Sequence, residues 1–255
     1  MEVHHHSHAG HTKKWTAYLL EFLMLFLAVF LGFIAENLRE HKVEHTRAIE
    51  FSKSLVQDLK SDISDIERQE KLTRCYLSMA DSILELSKRK LEGRNAAEFS
   101  FYTRFTYWTG QVNWNRATFE QIKNSGSLRY FRSRLLGKIM NYDAIINEIQ
   151  GEFSNHQVRG NMLLNQINKI IDPILHQEVS HYYLWSLDTM SYDTKEHFFQ
   201  KQLPSLEIKR DEINELLNMV VVQQRNLRQN LEGRLPEAKK IAEELISDLE
   251  KEYHL

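Results

Sequence analysis

Histidine is the residue type whose placement in this chain comes nearest to chemistry. His4, His5, His6, His8 and His11 crowd the N-terminus, and so dense a run of imidazoles takes up zinc, nickel or copper loosely. Ser7 interrupts the tract, and no apolar residues flank it to hold a coordination geometry. Residues 1–14 therefore read as a disordered, metal-sticky tail. Further along, His41 and His45 stand four apart, and Glu178 with His181 makes one Glu-x-x-His. A di-iron bundle uses two such motifs on separate helices and two further acids, so one motif in or near a loop falls short. His176 and His181 are five apart, which does not fit a His-Glu-x-x-His zinc helix. There is no Walker A loop, dinucleotide-binding glycine fingerprint or Gly-x-Ser-x-Gly elbow. The one cysteine, Cys75, closes neither a disulfide nor a zinc site by itself, and its helical setting reads as a small core residue. The expectation is no catalytic residue, no cofactor and no enzyme.

A second concentration of side chains is aromatic. Phe101, Tyr102, Phe105, Tyr107, Trp108 and Trp114 fall within one short stretch. Such a group either binds a ligand or forms the packing end of a bundle, and packing is the commoner outcome. The 33 basic and 35 acidic residues nearly cancel, leaving a net charge of -2 with no basic stripe, which excludes a nucleic-acid partner. Three prolines and nine glycines are few for 255 residues. With abundant Leu, Ile, Glu, Lys and Gln, that scarcity favours long helices.

The element that positions everything else is the run WTAYLLEFLMLFLAVFLGFIA, Trp15 to Ala35, whose single charge is Glu21. As a helix it spans about 31 Å, the hydrocarbon thickness of a bilayer. Trp15 and Tyr18 stand at its start, where interfacial aromatics belong. A cleaved signal peptide needs small residues before its cut, whereas bulky Phe33 and Ile34 precede Ala35 here. The segment is expected to be an uncleaved transmembrane helix. At about 100° per residue, Ala17, Ala28, Gly32 and Ala35 fall within about 40° of Glu21, while Phe22, Phe26, Phe30 and Phe33 lie about 100–180° away. Small residues let helix backbones approach closely. An acid roughly 6 Å from the midplane is costly and meets protein or water. The expected packing face is therefore Ala17, Glu21, Ala28, Gly32 and Ala35, with the phenylalanines toward lipid. Lys13 and Lys14 precede the run, and Arg39, Lys42, Arg47 and Lys53 follow it. Basic residues alone would make the second side cytoplasmic, but long domains translocate despite such charges. The expectation is a cytoplasmic N-terminus with the domain outside the cytoplasm.

Beyond the membrane run, residues 36–255 read as one helical domain. No glycine or proline occurs from Glu36 to Glu92. Apolar or small residues recur in a 3-4 pattern at Ile49, Ser52, Val56, Leu59, Ile63 and Ile66, then at Leu77, Ala80, Leu84 and Leu91. Glu70 and Thr73 interrupt that seam. This is one long helix over about 36–91, continuing from the membrane helix. Leu91 to Ser100 reads as a turn, and Ala117 to Lys123 as a short helix stopped at Asn124-Ser125-Gly126-Ser127. A second long helix covers about 128–171, marked by Leu135, Ile139, Tyr142, Ile146, Ile149, Phe153, Leu163, Ile167 and Ile170. Residues 173–203 read as loops and short helices. Pro204 opens a helix over about 204–231, Gly233 stops it, and Pro236 opens a last one over about 236–253. The fold class is all-α, one N-terminal transmembrane helix continuing into a long-helix antiparallel bundle.

Three stretches carry a resemblance: YLLEFLMLFLAVFLGFIAENLREH, FSKSLVQDLKSDI and ATFEQIKNSGSLRYFRSRLLGKIMNYD. In this order they resemble a family of uncharacterised bacterial single-pass membrane proteins, over roughly the first 150 residues. The resemblance implies an anchor in the bacterial inner membrane and a helical domain, with no catalytic residues.

The expected function is a membrane-anchored helical interaction or scaffold protein. Its partners would be membrane lipid and either a second copy, as a homo-oligomer, or another membrane protein. The rival is a sensor-like ligand-binding module acting through a partner protein.

Overall fold

The structure, a computed structural model, describes residues 15–108, 110–182 and 190–255. His4, His5, His6, His8 and His11 lie outside the described residues. Helix α1 runs Trp15–Leu86, followed by α2 (Gly93–Thr103), α3 (Ala117–Asn124), α4 (Ser133–Ile170), α5 (Pro173–Val179), α6 (Tyr192–Phe199), α7 (Arg210–Gln229) and α8 (Leu235–Tyr253). Single 3-10 turns at Ser127–Tyr130 and Glu207–Lys209 precede α4 and α7. The fold is all-α: among the described residues the one β-type pairing is an isolated bridge between Gly93 and Leu203.

The chain divides into two compact units, Met1–Glu50 and Phe51–Leu255. In the first unit, α1 begins with a stretch long and apolar enough to cross a membrane, and none of that stretch is buried. Phe22, Phe26 and Phe30 stack one turn apart, with ring centroids 6.4 and 5.9 Å from each other.

The second unit is built on three rods: α1 from Phe51 onward, α4, and the α7–α8 run. Each turns inward a seam with alternating spacings of three and four, the period that keeps one helical face toward a core. On α1 the seam is Ser52, Leu55, Leu59, Asp62, Ile66, Gln69, Thr73, Tyr76, Ala80 and Ile83, all buried. On α4 it includes Leu135, Ile139, Tyr142, Ile146, Ile149, His156, Gly160, Leu163, Ile167 and Ile170. On α7 it is Ile213, Leu216, Val220, Gln223 and Leu227. Each fully buried Leu or Ile contributes roughly 1.5–3 kcal/mol, so the seams are the main favourable term in this bundle.

Cross-helix pairs set the directions. Lys60 meets Glu250 at 2.9 Å and Glu67 meets Lys239 at 2.6 Å, so α8 runs against α1. Lys138 meets Asp248 at 2.8 Å, Glu148 meets Arg234 at 2.5 Å, and Gln166 donates to Glu212 O at 2.8 Å. The α7–α8 run is therefore antiparallel to both α1 and α4. At one end α2, α5 and α6 close the bundle, and Phe101, Phe105, Leu175, Phe198 and Phe199 join its core. Asp172 caps α5 by accepting from Ile174 N at 2.8 Å, with Pro173 opening the helix.

Several boundaries depart from the sequence expectation. α1 stops at Leu86 rather than near 91. Arg210 donates to Ser87 O at 3.0 Å, and Glu207 accepts from Leu91 N at 2.8 Å, so a distant element ends the helix. Leu91 to Ser100 is mostly helix α2 rather than a turn. Gly93, at φ +52°, takes the corner in one residue, after which Ala96, Ala97, Phe99 and Ser100 are buried. The long central helix starts at Ser133, five residues later than expected, after a separate 3-10 turn. Pro204 does not open a helix, which begins at Arg210 instead.

The expected break between residues 231 and 236 is absent. A π-turn at Asn230–Arg234 joins α7 to α8, and Leu235 N reaches back to Asn230 O. Leu227, Leu231 and Leu235 are four apart and all buried, and a turn wider than 3.6 residues keeps all three inward. The same widened turn precedes Pro236, whose missing N–H and bulky ring disrupt a regular helix.

Candidate functional site

Ala17, Glu21, Ala28, Gly32 and Ala35 all lie exposed on α1. A Cβ built on Gly32 would meet nothing within 4 Å, so close approach of another helix is sterically open there. Among the described residues no group of three or more His, Cys, Asp or Glu side chains could hold a metal ion. Glu178, half of the Glu-x-x-His, is ion-paired with Lys201. Cys75 is half-buried.

The aromatic residues separate into two places. Phe101 is fully buried, with Tyr102, Phe105, Phe198 and Phe199 at centroid distances of 5.4 to 5.7 Å in one cluster. Trp108 is half-buried against the same core. Trp114 stands apart, edge-on to Tyr142 at 6.4 Å.

Trp114 belongs to a strap without regular secondary structure, residues 110–116, that crosses the bundle between α2 and α3. Its start is held by Gln69, whose Nε2 donates to Gly110 O at 3.1 Å. A Cβ on Gly110 would come within 2.2 Å of the Trp108 ring and 2.5 Å of the Gln69 amide, so the strap lies against both. Its end is held by Asp62, whose Oδ1 accepts from Asn115 N at 2.8 Å and whose Oδ2 accepts from Tyr142 Oη at 2.9 Å. Asp58, one turn earlier, accepts from Thr118 N at 3.4 Å at the start of α3. Arg116 completes this end by pairing with Asp143 and with Glu120.

Asp62 is only 1% exposed. Burial raises its pKa to about 6, against the two hydrogen bonds that favour the carboxylate, and the charges of Asp58 and Asp65 push the same way as burial. Burial also raises the Tyr142 phenol, and the adjacent Asp62 adds to it.

Beneath the strap, the three seams turn polar at one level. Gln69 and Thr73 come from α1, His156 from α4, and Gln223 from α7, all buried. Gln69 Nε2 also reaches Thr73 Oγ1 at 3.3 Å. His156 Nδ1 lies 3.3 Å from Gln223 Oε1, and Asn230 Nδ2 lies 3.1 Å from His156 Nε2. Asn230 Nδ2 makes His156 Nε2 an acceptor, which puts the ring proton on Nδ1 toward Gln223 Oε1 and leaves Arg159 Nη2, 3.2 Å from Nδ1, without an acceptor there. Arg159 Nε also donates to Gln223 Oε1 at 3.1 Å. Burial lowers the His156 pKa and Arg159 lowers it further, against the Gln223 hydrogen bond. Gln223 Nε2 has no partner although the residue is fully buried. A cavity of about 60 Å³ opens at this level, between the strap, the polar residues and the π-turn.

Sequence reasoning noticed Thr73 as a break in the seam and missed His156, Gln223, Asn230 and Asp62. The signal for His156 was the register itself: steps of three and four from Phe153 to Leu163 pass through 156 and 160. No protein-family model, curated protein or solved structure matches this chain.

Proposed function

We propose that this chain is a membrane-anchored helical interaction protein whose first helix spans a bilayer and packs against a second membrane helix. The observation that carries this reading is the start of α1. From Tyr18 to Phe33 its large apolar side chains are exposed, and lipid is the medium that would cover so long an apolar surface. The partner is a second copy or another membrane protein, met through Ala17, Glu21, Ala28, Gly32 and Ala35. The bundle is the domain that this anchor presents. The resemblance to bacterial single-pass proteins suggests the inner membrane, with the bundle outside the cytoplasm.

Two measurements test the two halves separately. The full chain should stay with the membrane pellet after alkaline carbonate extraction, and release into the supernatant would overturn the anchor. Glu21→Leu should leave that fractionation unchanged but lower the crosslinked oligomer, or the co-purified partner, several-fold in mild detergent. The expected loss corresponds to a polar interhelical contact of about 0.6–2 kcal/mol. An unchanged crosslinking pattern would overturn the packing face and leave the anchor standing.

A further inference from the structure

We infer that the cavity under the strap is a binding site for a small uncharged ligand that carries an amide. The inference stands independently of the membrane anchor. The space of about 60 Å³ holds a molecule of about four non-hydrogen atoms, or as many waters. Among the described residues no Asp, Glu, Lys or Arg lines it, so a charged ligand would be buried without a counter-ion, at a large desolvation cost. Its walls combine apolar surface from Trp114, Ile149 and Leu227 with polar groups from Thr73, His156 and Asn230. This is the mixture that orients a small ligand while excluding bulk solvent.

The hydrogen-bond accounting selects a group that both accepts and donates, as an amide does. Both nitrogens of His156 are engaged, by Gln223 and Asn230. Asn230 Oδ1 accepts from Arg234 at 2.9 Å, while its amide has a second proton beyond the one given to His156. Gln69 also lines the cavity, and its amide nitrogen is engaged by Gly110 O and Thr73 Oγ1. The lining therefore presents the second amide proton of Asn230 as a donor and the Thr73 hydroxyl as an acceptor. Thr73 Oγ1 donates to Gln69 O at 2.8 Å and keeps lone-pair capacity for an N–H on the ligand. The π-turn that brings Asn230 to the cavity is itself the kind of helix irregularity that gathers at binding sites. Entry needs only the strap to lift, since it has no helix of its own and is fixed at Gly110 and Asn115.

The test uses the full chain in detergent micelles, labelled with 5-fluorotryptophan, with the Trp114 resonance assigned from Trp114→Phe. Acetamide is titrated against acetate and methylammonium, which are similar in size but charged. The expected result is a saturable shift of the Trp114 resonance in the millimolar range with acetamide. Both ions should bind at least tenfold more weakly. Asn230→Leu, which removes the donor and fills the space, should abolish saturation. If that variant fails to fold, Thr73→Val serves instead and should weaken acetamide at least threefold. A shift that stays linear to the highest concentration, or is equal for acetamide and acetate, would overturn the site and leave the cavity to water.

Discussion

Replacing Asp62 by asparagine is expected to stabilise the protein at pH 7 by about 2–3 kcal/mol, an advantage that shrinks to about 1 kcal/mol at pH 4.5. The carboxyl titrates near 3.8 when free and at about 6 in the fold. A raised folded-state value means the folded protein holds the proton more tightly. Stability from the protonated form is fully present below about pH 3.8, and it is lost as pH rises through about 6. Two units at 1.36 kcal/mol each set the total near 3 kcal/mol. Asparagine keeps an acceptor for Asn115 N and turns a donor toward Tyr142, whose hydroxyl can reverse. Imperfect reversal would subtract about 1 kcal/mol. The comparison between variant and wild type cancels the other acids, which titrate in both. Urea denaturation of the full chain in micelles, followed by helical circular dichroism at each pH, reads the difference. A variant less stable than wild type at pH 7, or a gap that does not change with pH, would refute this account of the buried acid.

Asp62 also shows how far the sequence could be read. The expected α1 seam passed through Ile49, Val56 and Ile63, because each is more apolar than its neighbour. Val56 is buried together with Leu55, but Asp62 is buried where Ile63 is only half-buried. Both tracks include Ser52, Leu59 and Ile66, so the helix and its facing direction were legible and its exact inner edge was not. Hydrophobicity favours isoleucine over aspartate at an inner position, and only the distant Asn115 and Tyr142 make the acid tenable there. The same limit applies at Gln223. Its neighbours Val221 and Val222 are more apolar and yet exposed, while the glutamine faces a histidine and an arginine from another helix. Gly233 and Pro236 are ordinary helix stops by local rules. The π-turn that accommodates them depends on Leu231 and Leu235 both finding the core, which no local rule encodes. What was legible came from period, length and glycine or proline placement. What was not legible came from polar groups whose partners lie far away in sequence.

Those polar groups share one level of the bundle, and this gives the middle of the molecule a character unlike its ends. Toward one end, Leu59, Ile66, Ile139 and Leu245 pack as apolar layers. Toward the other, the phenylalanines do. Between them Gln69 bonds Thr73 and the strap, and His156 bonds Gln223 and Asn230. The His156 bonds fix the register of α4 against the α7–α8 run more strictly than hydrocarbon does, because a slip leaves their members unpaired. The strap crosses at this level without regular secondary structure of its own. It is therefore where local opening should cost least.

The apolar end should behave in the opposite way, and Phe101→Ala is expected to cost about 3–5 kcal/mol. The ring is fully buried, and four others, Tyr102, Phe105, Phe198 and Phe199, stand 5.4 to 5.6 Å from it. Edge-to-face pairs add to the transfer term, and rings held by separate helices cannot all collapse into the space left behind. The loss should also be local. α6 is only eight residues long, too short to persist without tertiary support, and it meets α2 through this cluster and the Arg94–Glu196 ion pair. That ion pair is partly exposed and contributes little. Amide exchange in Tyr192–Phe199 should therefore accelerate at least a hundredfold in the variant, while exchange at the Leu59–Ile66 level of α1 changes far less. Trp114→Phe serves as the control, because Trp114 is half-buried at the strap and touches none of the four rings. It should cost about 1 kcal/mol and leave α6 protected. Equal costs for the two variants, or exchange that rises uniformly through the bundle, would show that the aromatic end does not hold α6 by packing.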